Sequence, residues 1–199
     1  MIKNKKKLLI TGFDPFGGER VNPAWESVRK LPDEIGEHTL IKMEIPTVFF
    51  KASQEVIKRA EEIEADTILC VGQAGGRSAV TPEMVAINLM EANIPDNEDN
   101  QPKNTPIQEN APTAYFSTLP VREIVASLQK EGIASALSFS AGAFVCNEVL
   151  YSLLHHFYDT NVKVGFIHVP FLPEQAKNGQ PSMPLDTILQ ALQTAIKTL

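Results

Sequence analysis

The sequence predicts an α/β fold, a three-layer α/β/α sandwich whose central sheet is twisted and mostly parallel. Along the 199 residues, short apolar runs rich in β-branched residues alternate with longer amphipathic stretches, which is the pattern of successive βαβ units. The run at 67–71 is continuously apolar and ends in a glycine-rich segment, as a buried central strand does. No repeat and no linker interrupts the alternation, so we expect one domain over residues 1–199.

In the first half of the chain, the pattern predicts three strands and two helices. The first helix is expected to begin at Pro23, because Asn22 suits an N-cap and proline suits the first helical position. Apolar residues at helical spacing, with Glu and Lys on the opposite face, predict the second helix. The expected strands are residues 8–12, 40–45 and 67–71, and the expected helices are residues 23–30 and 50–65.

The second half of the chain continues the alternation after a long polar segment. Residues 95–112 are rich in Asn, Asp, Gln and Pro, which predicts a surface excursion. The expected strands are residues 84–90, 134–139 and 163–169, and the expected helices are residues 119–130, 144–157 and 184–199.

Composition excludes several classes of function. The formal net charge is −6, which argues against a nucleic-acid or anionic-membrane surface. No apolar segment approaches the roughly 18 residues of a membrane span. The basic run at 3–7 resembles the start of a signal peptide, but the apolar residues after it end at Thr11, so we expect a solvated tail and a cytoplasmic protein. Two cysteines are too few for a disulfide framework.

The two cysteines occupy contrasting settings. Cys70 lies inside the predicted central strand and is expected to be an inert, buried side chain. Cys146 follows the small residues of 140–143 and stands where an apolar helix begins. A helix N-terminus favours a thiolate, and its free amides can form an oxyanion hole. Cys146 is therefore the candidate nucleophile, with a buried structural cysteine as the alternative.

A nucleophilic cysteine needs a base, and four histidines are present. His155 and His156 fall in the late turns of the helix that Cys146 begins. A positive charge is favourable near a helix C-terminus, which accounts for both without a catalytic role. His38 follows Gly36 in a predicted loop and is expected to be solvated. His168 closes a strand at the edge of the sheet where ligands bind, so it is the candidate base.

The third candidate is a carboxylate. Glu83 follows the central strand in a loop, which puts it at the same sheet edge as His168. The glycine-rich residues 72–77 also follow that strand, but their spacing is neither that of a dinucleotide fingerprint nor that of a P-loop. Such a segment allows close approach of backbone to a small ligand. Phe13 and Phe16 lie in a Gly/Pro-rich loop, where they either cap the core or form a slot for a flat, neutral ring.

Five motifs together resemble the pyrrolidone-carboxylate peptidase family, also called pyroglutamyl peptidase type I, from Thr11 to the C-terminus. They are TGFDPFGG at 11–18, GQAGGR at 72–77, TPE at 81–83, SAG at 140–142 leading to CN at 146–147, and FIHVP at 166–170.

The resemblance implies a cysteine peptidase that removes an N-terminal pyroglutamyl residue through a thioester acyl-enzyme. Cys146 would be the nucleophile, His168 the base and then the acid, and Glu83 the carboxylate that orients His168. The expected partners are N-terminally pyroglutamylated peptides, with no nucleic acid and no membrane. A homotetramer is expected, and neither a metal nor an organic cofactor is required.

The resemblance also implies a substrate pocket. Phe13, Phe16 and Phe144 are expected to form its walls, and the backbone of Gln73 is expected to read the lactam. The family usually carries Arg beside this pocket at the position of Asn93.

A second departure from the family lies at Met84, where Arg or Lys is usual. These departures keep one alternative open, a pyroglutamyl-peptide binder with weak turnover. A further alternative is a nucleoside-phosphorylase-like enzyme, because that α/β architecture is related and the glycine-rich residues 72–77 could hold phosphate.

Overall fold

The computed structural model describes residues 5–199, and its elements follow the predicted alternation of strands and helices. Residues 3 and 4 of the expected basic tail lie outside this range. Lys6 and Lys7 already belong to the first strand. The strands are β1 (Lys6–Phe13), β2 (Glu34–Ile35), β3 (His38–Ile45), β4 (Thr67–Gln73), β5 (Thr81–Pro82), β6 (Val85–Ile87), β7 (Ala114–Phe116) and β8 (Lys163–Val169). The helices are α1 (Pro23–Val28), α2 (Lys51–Glu62), α3 (Val121–Lys130), α4 (Val145–His156) and α5 (Leu185–Lys197).

A six-stranded sheet in the order β2-β3-β1-β4-β8-β5 forms the centre of the fold, and β6 pairs with β7 in a separate two-stranded sheet. The four inner strands are parallel, whereas β2 and β5 run antiparallel at the two edges. Helices α1, α3 and α5 pack on one face of the sheet, and α2 and α4 pack on the other. The predicted three-layer α/β/α architecture is thus confirmed.

Side chains of the inner strands alternate between the two cores. Leu8 and Ile10 face the layer of α1, α3 and α5, whereas Leu9 and Phe13 face the layer of α2 and α4. Successive side chains of a strand point to opposite faces, so a strand covered on both sides must be apolar at nearly every position. This is why β1, β4 and β8 are evident in the sequence as mostly apolar runs.

Two predicted strands differ from the structure. Residues 134–139 form only isolated bridges to the segment of β5, through Ser135 and Ser138. Pro82 has no N–H to donate to this ladder, which interrupts the regular pairing.

The expected strand at 84–90 ends at Ile87. Beyond it the chain contacts a different segment: the Asn88 Oδ1 accepts from the backbone N–H groups of Ile107 and Gln108 at 2.8 and 2.9 Å, and Met90 forms an isolated bridge with Thr105.

His38 is not in a solvated loop. It opens β3 and is only 4% exposed, and neither ring nitrogen has a hydrogen-bond partner among the described residues. The pairing of His38 with Lys6 and with Ile35 on its two sides encloses the ring. Burial lowers the pKa of His38, so the buried ring is neutral.

Within residues 5–199, no helix combines the length and the apolar character needed to cross a membrane.

Candidate active site

The candidate site lies at the sheet edge where the parallel strands end. β3 is on one side of β1 and β4 is on the other, so the direction of strand succession reverses between β1 and β4. In open α/β sheets, ligands bind outside the carboxyl ends of the strands at such a reversal. Phe16 follows β1 at this edge, Gln73 ends β4, and His168 is the penultimate residue of β8.

Cys146, the second residue of α4, reaches this edge from the layer of α2 and α4. A methyl group in place of the Gly72 hydrogen would lie 3.0 Å from the Cys146 Sγ, so the thiol packs on the backbone of β4. Gly72 and His168 are register partners in the parallel strands β4 and β8. Because partners in a parallel ladder point to the same face, the thiol and the imidazole lie on one side of the sheet. The structure thus brings these two side chains together.

Glu83 orients the imidazole of His168. The Nδ1 atom of His168 lies 2.7 Å from Glu83 Oε1, and the two side chains are 4% and 0% exposed. An ionised carboxylate can only accept, so Nδ1 carries the hydrogen and Nε2 is free to accept a proton. Glu83 is held in place because its backbone N–H donates to the Phe166 carbonyl at 2.9 Å, just beyond the pairing of β5 with β8.

The protonation states of this pair suit proton transfer. Burial alone would raise the pKa of Glu83, but hydrogen bonds from His168, Ser138 and Arg77 hold that pKa below its ordinary value. Burial lowers the pKa of His168, and the hydrogen bond to Glu83 offsets only part of that effect. At neutral pH the pair is a carboxylate and a neutral imidazole, the form in which a histidine acts as a base.

The two thiols differ in their surroundings rather than in the direction of their pKa shifts. Burial raises the pKa of both Cys70 and Cys146 to about 12. The acidic thiol expected at a helix N-terminus is therefore not found in the free site, since desolvation and the Glu83 charge oppose it. At Cys146, however, the Arg77 charge acts in the opposite direction. Cys70 is fully buried inside β4 as predicted, whereas Cys146 is half-buried.

The histidines of α4 have partners away from this site. His155 Nδ1 lies 2.8 Å from the Tyr115 hydroxyl, and His156 Nε2 lies 2.9 Å from Glu61 Oε1. Both occupy the last turn of α4, more than two turns from Cys146.

Aromatic side chains lie together beside Cys146, where the sequence predicted either a cap on the core or a slot. Phe144 is the residue that precedes the first turn of α4. Its ring centroid lies 6.0 Å from that of Phe16 and 5.3 Å from that of Phe49. Phe13 lies in the core beneath, 1% exposed, with its centroid 6.2 Å from that of Phe166. Phe166 in turn contacts the His168 ring, with centroids 4.7 Å apart.

The remaining predicted pocket residues are Gln73 and Asn93. Gln73 is paired with Val169 at the end of β4, and its side-chain Oε1 accepts from Gln175 at 2.9 Å. Its side chain is therefore held away from the thiol, on the face opposite Gly72, and only its backbone can serve the site. Asn93 is exposed; two residues before it, the Glu91 N–H donates to the Ala143 carbonyl at 2.9 Å, beside the start of α4.

Sequence reasoning missed two residues at this edge, Arg77 and Phe49. Arg77 NH1 donates to Glu83 Oε1 at 2.7 Å. The sequence signal for Arg77 is its position at the end of the glycine-rich segment that follows β4. Phe49 precedes α2, and its backbone N–H donates to the Asp96 carboxylate at 3.0 Å. Nothing local marks Phe49, because Asp96 comes from the surface excursion 47 residues further along the chain.

A cysteine at a helix N-terminus, beside a histidine that a buried carboxylate orients, defines the class of this protein: it is a cysteine-type hydrolase of α/β fold. Comparison with known proteins gives the family. The family model described as pyroglutamyl peptidase matches residues 6–199. Pyrrolidone-carboxylate peptidases of Bacillus thuringiensis and Brevibacillus brevis are 51% and 52% identical to the chain, over 96% and 97% of it and 92% of their own length. The chain belongs to the pyroglutamyl peptidase family.

Solved structures agree with this assignment. Pyroglutamyl peptidase I from Bacillus amyloliquefaciens superposes with a TM-score of 0.93 at 47% identity, covering 98% of this chain and 96% of that one. Pyrrolidone carboxyl peptidase from Thermococcus litoralis has a TM-score of 0.93 at 38% identity, covering 97% and 92%. The fold class predicted from the sequence is that of these peptidases.

Proposed function

We propose that this protein hydrolyses the amide bond after an N-terminal pyroglutamyl residue, with Cys146 as nucleophile, His168 as general base and then acid, and Glu83 as the orienting carboxylate. The observation that carries the proposal is the 2.7 Å contact between His168 Nδ1 and Glu83 Oε1 on the face of the sheet where the Cys146 thiol packs. Membership in the pyroglutamyl peptidase family supports the same activity.

The reaction follows from these positions. With substrate in place, His168 Nε2 takes the thiol proton as Sγ attacks the pyroglutamyl carbonyl, and the Cys146 backbone N–H at the start of α4 stabilises the oxyanion. His168 then protonates the leaving amine, which gives the freed peptide and a thioester on Cys146. Water attacks the thioester as His168 removes its proton, and pyroglutamate leaves as the thiol is restored. No redox step and no cofactor is needed.

The aromatic slot suits a lactam ring. The pyroglutamyl group is flat and uncharged, so apolar walls can desolvate it at little cost. Phe16, Phe144 and Phe49 would line the slot, with Phe13 supporting it from the core and Asn93 near its rim. The backbone of Gln73 would pair with the lactam amide. Leaving that buried pair unmade would cost about 1–3 kcal/mol, which disfavours rings that lack the lactam carbonyl.

The same proposal extends to the organisation of the protein. Residues 1–199 would form a single catalytic domain, in keeping with a family match that spans 6–199. A homotetramer is supported by an apolar groove of about 350 Å³ flanked by Phe116 and Tyr158, which are 69% and 68% exposed. We place the enzyme in the cytoplasm, where thiols stay reduced, because both cysteines are free and the chemistry needs one of them.

Release of a chromophore from a pyroglutamyl amide tests the proposal. Turnover should occur without phosphate and should stop after treatment with iodoacetamide. Cys146→Ser should abolish turnover, while Cys70→Ser, which alters the matched buried thiol, should keep most of it. Equal loss in both variants, with both shown to be folded, would remove the special role of Cys146. Affinity for pyroglutamate without thiol-sensitive turnover would indicate a binder, and dependence on phosphate would indicate a phosphorylase-like enzyme.

A further inference from the structure

Arg77 joins three separate segments of the active-site edge. Its NH1 donates to Glu83 Oε1 at 2.7 Å and to Thr81 Oγ1 at 2.6 Å. Its NH2 donates to the Ser140 carbonyl at 3.0 Å. One side chain therefore links the loop after β4, the segment that carries Glu83 and the loop that leads into the helix of Cys146.

The bonding of Glu83 makes this link consequential. His168 and Arg77 both contact Oε1, whereas Oε2 is buried and has no hydrogen-bond partner among the described residues. Without Arg77, only His168 and the Ser138 hydroxyl would remain to hold this buried carboxylate. A buried charge that loses a partner is strongly disfavoured.

We infer that Arg77 is a positioning residue of the triad, which holds the Glu83 carboxylate against His168 and fixes the Ser140 turn in front of Cys146. The inference rests on the triad proposed above. Arg77 touches neither the thiol nor the proposed substrate slot through any hydrogen bond found in residues 5–199, so it acts through Glu83 and through the loop. The guanidinium suits this task because its planar fork can serve two acceptors at once.

The charge of Arg77 also bears on the reaction. Burial and the Glu83 carboxylate raise the pKa of the Cys146 thiol, and Arg77 lowers it. Burial lowers the pKa of His168, Glu83 opposes that shift, and Arg77 reinforces it. Removal of the Arg77 charge should therefore raise both of these pKa values.

The test compares Arg77→Met, which removes charge and donors, with Arg77→Lys, which keeps the charge but cannot reach Glu83 and Ser140 together. Arg59→Met is the matched control, because Arg59 is paired with Glu62 on the exposed face of α2. For each variant we would measure kcat and KM on a pyroglutamyl amide between pH 5 and 9, the pH dependence of Cys146 alkylation by iodoacetamide, and the thermal midpoint.

We expect Arg77→Met to lower kcat by about 100-fold with KM changed less than about threefold, as for a misplaced catalytic group. The acidic limb of kcat/KM and the alkylation profile should both move to higher pH. Arg77→Lys should restore the alkylation profile but only part of kcat. Arg59→Met should behave like the wild type.

Two results would overturn the inference. One is a kcat within about threefold of the wild type for folded Arg77→Met. The other is an equal loss in both Arg77 variants with unchanged pH profiles, which is the behaviour of a purely structural residue. Should Arg77→Met not fold, Arg77→Lys combined with Glu83→Gln decides. The double variant should lose less than the sum of the two single losses, because part of the Arg77 effect passes through Glu83, and fully additive losses contradict the inference. An active Cys146→Ala variant would instead overturn the triad, whatever Arg77 does.

Discussion

Substitution of Gly72 by alanine probes the packing that brings the thiol to the imidazole. The added methyl group would lie 2.7 Å from Phe166 Cζ and 3.0 Å from Cys146 Sγ. Carbon atoms in contact are normally about 3.5–4.0 Å apart, so both neighbours must move by several tenths of an ångström. Phe166 is fully buried and Cys146 begins a packed helix, so neither has free space to enter.

The expected effects follow from these overlaps. Overpacking of a close-packed core costs about 1–3 kcal/mol, and we expect Gly72→Ala to lose that much stability. Displacement of a reacting group by about 1 Å can lower a rate by about 100-fold. A shift of part of that distance at Sγ should lower kcat/KM by about 10-fold to 100-fold, chiefly through kcat.

A double-mutant cycle with Phe166→Leu separates the two effects. The smaller side chain removes the contact with the ring but not the contact with the sulfur. In the Phe166→Leu background, Gly72→Ala should cost much less stability in urea unfolding than it does in the wild type. It should still lower kcat/KM on a pyroglutamyl amide, because the contact with the sulfur remains. If Gly72→Ala is as stable and as active as the wild type, the thiol does not pack on β4 as described and the geometry of the site is wrong.

Three further outcomes are expected. His168→Ala should lose most turnover whereas His156→Ala should not, since His156 lies at the far end of α4 and pairs with Glu61 of α2; full activity of His168→Ala would exclude the triad. Asn93→Arg should raise kcat/KM by adding a positive charge near the slot, and Met84→Arg should do less because Met84 is half-buried against the core; an unchanged or lower kcat/KM for Asn93→Arg contradicts this. Folding lowers the pKa of His38, so below about pH 6.5 the unfolded chain binds more protons than the folded chain, and the free energy of unfolding falls as the pH drops. His38→Leu should reduce the difference in the free energy of unfolding between about pH 5.5 and 7.5, measured with urea. An equal difference in the variant and the wild type would contradict this.

The inner framework could be predicted from the sequence because its determinants are local. β1, β4 and β8 are apolar at nearly every position, and the helices carry apolar residues at helical spacing, so each element is evident without its neighbours. Cys146, His168 and Glu83 were selected because each follows or closes a strand or begins a helix at one sheet edge. These positions made the three residues candidates, since parallel strands end together, but the resemblance to the peptidase family was needed to group them as a triad.

The tertiary structure alone decided the features that depend on distant partners. β2 and β5 are two residues long, too short to have a period, and exist only because β3 and β8 offer an edge to pair with. His38 is enclosed by strand pairing that the local sequence does not predict. Arg77 and Phe49 join the site through Glu83 and Asp96, both supplied by other segments. Hydrophobic periodicity determines which residues are buried, but a hydrogen bond between remote side chains is determined only when the chain has folded, because sequence spacing carries no information about that distance.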